Sequence, residues 1–135
     1  MSAASNYLEN AVLDHVLGGT SYSQPANLYV GLFTNTSGSA ATNLEAGTLT
    51  DEVSGGSYAR KAATFSAASS GTASTSATIT FDAATANWGT ITHVAIIDAS
   101  TSGNVLFWGA VTTSKTIESG DTFQISSSNL SVSLA

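Results

Sequence analysis

Few residues in this chain could carry chemistry. Its 135 positions hold two histidines, nine carboxylates, three basic residues and no cysteine. Thiol nucleophiles, disulfides and thiolate metal ligands are therefore excluded. A serine nucleophile needs a base, and only His15 and His93 could serve. His15 falls on a helical stripe beside Val16 and His93 in an apolar strand, so each reads as a partly buried ring holding a local hydrogen bond. No Gly-x-Ser-x-Gly elbow, His-x-x-x-His pair or phosphate-binding glycine motif occurs. Asp14 and His15 are adjacent, but neighbours on a helix point roughly 100° apart and chelate poorly. Asp51-Glu52 could hold a loose calcium ion with backbone carbonyls, yet nothing around them resembles an ordered calcium loop, and a solvated acidic turn is the plainer reading. Asp82, Asp98, Glu118 and Asp121 fall at strand ends or turns, where acids bond local amides rather than form a glycosidase pair. The expectation is no catalytic residue, no cofactor and no metal. Among the aromatics, Tyr22, Tyr29, Tyr58 and Trp108 read as core, while Trp88 follows Asn87 in a connection and is a candidate for exposure.

The elements that position these residues follow from periodicity. Leu8, Val12 and Val16 recur at four-residue steps, with Asn6 as the expected N-cap, Glu9 as its capping-box partner and Gly18-Gly19 as the stop. That predicts one N-terminal helix and cap over 1–19. Beyond it the period changes to two. Leu28–Phe33, Ile91–Asp98 and Val105–Val111 are apolar on both faces and read as central strands. Tyr58–Phe65, Ala77–Phe81 and Leu130–Leu134 alternate and read as half-buried strands. Residues 34–57 form a long polar, acidic loop, 66–76 a small polar connection, 99–104 a hairpin loop, and Gly120-Asp121 a turn. About seven strands without βαβ alternation predict a single mainly β domain over 1–135, an antiparallel two-sheet β-sandwich with one N-terminal α-helix.

Composition narrows the role. Charged residues make up only 9% of the chain, against about 25% in an ordinary domain. Ser, Thr, Gly and Ala take their place, giving a surface that is cheap to desolvate and suited to broad protein contact. A net charge of −6 with one basic pair, Arg60-Lys61, argues against nucleic acid and anionic membranes as partners. No apolar run approaches the roughly 20 residues that span a bilayer, and the first residues lack a basic export signal. The sequons at Asn35 and Asn129 read as chance matches.

The succession Tyr7–Leu17, Asn27–Thr34, Glu52–Arg60, Trp88–Ala95 and Ser119–Phe123 resembles a family of small tailed-bacteriophage virion structural proteins, including so-called tail-fibre proteins, to which small capsid cement or decoration proteins are similar. The resemblance covers nearly the whole chain and brings no catalytic or cofactor residue. It implies a non-enzymatic subunit made in the host cytoplasm and carried in the virion. Capsid cement or decoration on the head surface is the first expectation, a tail or tail-fibre component with host-surface or glycan binding the alternative. The expected partners are the major capsid protein or other virion proteins, with a homo-oligomer, trimer or dimer, as the expected state. The contact residues expected are Leu8 and Val12 on the helix, Glu45, Asp51 and Glu52 in the long loop, and Tyr58 and Arg60 just after it.

Overall fold

The computed structural model describes residues 3–134. Its elements are β1 (Ala3–Ala4), α1 (Asn6–Leu17), β2 (Leu28–Phe33), α2 (Ala40–Glu45), β3 (Lys61–Ala63), β4 (Thr72–Ser74), β5 (Ile79–Thr80), β6 (Gly89–Ile97), β7 (Val105–Ile117), β8 (Gln124–Ile125) and β9 (Ser131–Ser133). One five-stranded antiparallel sheet, ordered β1-β7-β6-β2-β3, carries the fold. The strands that are apolar on both faces, β2, β6 and β7, fill its centre, because each must be covered twice. The mainly β expectation holds, but the second large sheet of a sandwich is replaced by two two-stranded ribbons, β4–β9 and β5–β8.

Register explains the two cores. Val30 pairs with Ile96 and Leu32 with Val94, so these four share one face of the sheet. The ribbons cover that face: Val30, Leu32 and Val94 cluster with Ile79, Phe81, Trp88 and Phe123. Ile91 joins the same cluster although it is three residues from Val94, an odd offset that strict alternation would send to the other side. The bulge between Ile91 and His93 makes the change. On the opposite face Phe33, Ala95, Ile97 and Val105 close against Leu44 of α2.

Helix α1 is capped by Ser5, not Asn6. The Ser5 hydroxyl accepts from the Leu8 N–H at 3.3 Å and donates to the Val105 carbonyl, while its own N–H bonds Leu106 at 2.9 Å. Serine does both with one oxygen and is fully buried, so the cap also anchors the helix to β7. Gly18 ends the helix at φ +94°, the left-handed conformation that glycine adopts freely.

Residues 34–57 are not an open loop, since α2 forms within them. Its residues have ordinary helix propensity, but a six-residue helix is stable only when packed, and burial of Ala40 and Leu44 supplies that. The connection over 66–76 is a hairpin, with Phe65 bridged to Thr75 and Ser69 to Thr72. Trp88 is buried rather than exposed: it stands edge-on to Tyr58 at 5.5 Å and donates to the Gly56 carbonyl at 2.9 Å. A Cβ on Gly56 would lie 2.9 Å from the indole nitrogen, and its φ of +58° adds a second reason for glycine there.

The Thr75 hydroxyl is buried and finds no partner among the described residues. Thr75→Val keeps the branched shape and removes an unsatisfied group. It should raise stability by about 1 kcal/mol, measured as an upward shift in the urea midpoint with the slope unchanged.

Candidate functional site: contact surfaces and the buried ion pair

The seven expected contact residues point mostly inward. Leu8 is buried and Val12 half-buried under α1. The Glu45 carboxylate accepts from the Trp108 indole at 2.8 Å. Glu52, Tyr58 and Arg60 form one cluster: the Arg60 guanidinium grips Glu52 through two bonds of 2.7 Å, and the Tyr58 hydroxyl donates to the same carboxylate at 2.8 Å. Arg60 also donates to the carbonyls of Ala99 and Ser102 in the β6–β7 loop. Gly31 lets this cluster approach the sheet, because a Cβ there would lie 3.1 Å from Glu52 Oε2. The Glu52 bonds raise the Arg60 pKa further, and burial followed by the Glu52 charge pushes the Tyr58 hydroxyl far up, so the guanidinium stays charged and the phenol keeps its proton. Every group in it is committed to holding the fold.

Asp51 is committed too. Its carboxylate accepts from the Ser37 hydroxyl at 2.6 Å and the Ser37 N–H at 2.9 Å, and its carbonyl accepts from Thr34. The Ser37 bonds, opposed by burial, hold its pKa below the usual carboxylate value. A depressed folded-state pKa means that the stabilisation is present above the unfolded pKa of about 4 and is lost as pH falls through the folded value. Wild-type stability should therefore drop on acidification below about pH 4, and Asp51→Asn should flatten that slope in urea titrations at stepped pH.

Each histidine makes a local hydrogen bond. His93 shares a 2.8 Å hydrogen bond with Thr92, and burial lowers its pKa while the Asp51 charge opposes the shift. His15 Nδ1 accepts from the Tyr22 N–H at 3.1 Å. No group of three or more His, Asp or Glu able to hold a metal lies among the described residues. None of the described helices is long and apolar enough to cross a membrane.

What remains open is apolar surface. The exposed large apolar side chains among the described residues are Tyr7, Leu13, Val16, Leu17 and Leu134. Three of them form one stripe on α1, with Leu13 55%, Val16 70% and Leu17 78% exposed. The periodicity in the sequence marks a different stripe, Leu8, Val12 and Val16, of which Leu8 is buried, Val12 half-buried and Val16 exposed, because only the start of α1 reaches the core. Leu134 stands at the rim of an apolar groove between the main sheet and the β4–β9 ribbon. Two cavities of about 170 and 270 Å³ there share Ile96, Phe107 and Val132.

Comparison with known proteins adds one finding. A family model described as podophage GP4 fiber I protein gp80 matches residues 3–133. No curated protein matches the chain.

Proposed function

The chain belongs to the podophage GP4 fiber I protein gp80 family of tailed-phage virion structural proteins, and from that premise we propose that it is a non-enzymatic subunit of the fibre apparatus, working by contact with other virion protein chains. The observation that carries the contact role is the α1 stripe. Leu13, Val16 and Leu17 lie at i, i+3 and i+4 on one helix face, the spacing with which a helix docks on a partner. Leaving three large aliphatic side chains in water costs solubility unless a partner covers them. The hydroxyl-rich, weakly charged remainder of the surface supports a wide and easily desolvated contact.

Capsid cement is the second reading, favoured by that same composition. Copy number separates the two. Quantitative mass spectrometry of purified virions should find few copies relative to the major capsid protein if the chain serves a fibre, and near parity if it coats the head. The contact itself is tested with Leu13→Glu/Leu17→Glu. Both side chains face solvent, so the variant should unfold at the wild-type urea midpoint, yet be depleted at least ~10-fold from virions, the equivalent of about 1.4 kcal/mol of lost binding. Incorporation at the wild-type level would overturn the role given to α1.

A further inference from the structure

The concave surface where the chain after α1 folds back over the helix has no part in the contacts above. A cleft of about 300 Å³ lies there, lined by Tyr7, Asn10, Asp14, Thr20, Ser21 and Tyr22. Its walls are fixed by backbone bonds. The Asp14 carbonyl accepts from the N–H groups of Gly19 at 2.7 Å and Thr20 at 3.2 Å, and His15 Nδ1 holds the Tyr22 N–H. This pins the turn over the last helical turn, so the cleft is formed before any ligand arrives.

The chemistry of the lining is selective. The Tyr7 and Tyr22 rings make an edge-to-face contact at 72° with centroids 6.5 Å apart, so the cleft has an aromatic wall built from both. Aromatic faces are electronegative and attract a cation placed within about 6 Å of the ring centre. Asp14 lines the same cleft, with its carboxylate Oδ1 close to Gly19. Asp98 adds negative charge nearby: burial first, then the Tyr7 hydroxyl and Asp98, raise the Tyr22 pKa, so its ring remains an uncharged phenol. Among the described residues no basic side chain lines the cleft. Arg60 is bound to Glu52 and Lys61 to Asp82 elsewhere on the molecule. An anion would meet uncompensated repulsion there, and a neutral apolar group would cover a carboxylate without balancing it.

We propose that this cleft binds an organic cation, an ammonium or guanidinium group, against the aromatic wall of Tyr7 and Tyr22 with Asp14 as its counter-charge. Such a group could come from a choline-type head group or from a lysine or arginine side chain of a protein. Two-dimensional amide NMR of the full chain tests this with four probes: choline, Nα-acetyl-lysine amide, Nα-acetyl-arginine amide, and glucose as the uncharged control. The cations should shift the Tyr7, Asn10, Asp14 and Tyr22 amides saturably, and glucose should not. Asp14→Asn and Tyr22→Leu should each weaken cation binding about 10-fold without disturbing remote amides, and added salt should weaken it further in wild type. Tighter binding of choline identifies the head-group source, and tighter binding of the amino acid amides identifies a protein source. Absence of saturable shifts with every cation, an equal response to glucose, or unchanged affinity in Asp14→Asn would overturn the proposal.

Discussion

Arg60→Ala should lower the unfolding free energy by about 3–5 kcal/mol, a large share of the roughly 5–15 kcal/mol that holds a domain of this kind. The Arg60 side chain is 3% exposed and its Glu52 partner 15%, so solvent screens this pair little. Removing the guanidinium strands the Glu52 carboxylate with the Tyr58 hydroxyl as its remaining side-chain donor, and takes a donor from two carbonyls of the β6–β7 loop. Coulomb attraction alone is the smaller part; the cost is the buried group left without a partner. Arg60→Lys should recover less than half of the loss, because an ammonium cannot make the parallel two-bond grip and still reach Ala99 and Ser102. Replacing both partners with methionine should cost less than Arg60→Ala, since no charge is then stranded. Urea unfolding with a common slope decides both comparisons. A double variant as unstable as Arg60→Ala would show that geometry, rather than uncompensated charge, dominates.

Phe81→Ala should cost a similar amount, about 3–5 kcal/mol, for a different reason. Phe81 is 1% exposed. Its ring lies parallel to Tyr58 at 6.2 Å and edge-on to Phe123 at 5.9 Å, and its N–H bonds the Phe123 carbonyl at 2.9 Å. Truncation leaves a cavity between the main sheet and the β5–β8 ribbon, which neighbours fill only in part. Phe81→Leu, which keeps most of the volume, should cost under about 1.5 kcal/mol. Tyr58 touches both Phe81 and Glu52, so Phe81→Ala and Arg60→Ala should not be additive. A coupling energy of about 0.5–3 kcal/mol is expected from the double-mutant cycle. Strict additivity would show that Tyr58 does not transmit between core and ion pair.

The two variants together separate fold from function on this molecule. Arg60 is an expected contact residue and Phe81 lies on the apolar face of an expected half-buried strand, and both variants should depress virion incorporation only as far as they depress stability. The α1 variant should do the reverse. The contrast rests on where the structure places residues that look alike in sequence: Leu8 and Leu17 share a helix, yet one is buried and the other is 78% exposed.

Some of this was written in the chain itself. The doubly apolar runs Leu28–Phe33, Ile91–Ile97 and Val105–Val111 can be covered only at the centre of a sheet, and they occupy β2, β6 and β7. Gly18 at a helix end and the polar turn over 99–104 likewise carry local backbone requirements that few other residues meet. The poverty of reactive groups and the low charge are properties of composition, and no folding can change them. Tertiary structure alone decided the rest. Glu52 and Arg60 read as contact residues at the surface, because a sequence does not reveal that a guanidinium has a carboxylate and two carbonyls waiting inside. The short helix α2 has no strong propensity and exists because Leu44 finds the far face of the sheet. The second large sheet fails to form because β4, β5, β8 and β9 are each only two or three residues long and pair as ribbons. Local pattern is set by each residue's own backbone and polarity. Burial, by contrast, depends on which distant segments arrive opposite one another, and that is information held by the folded chain as a whole.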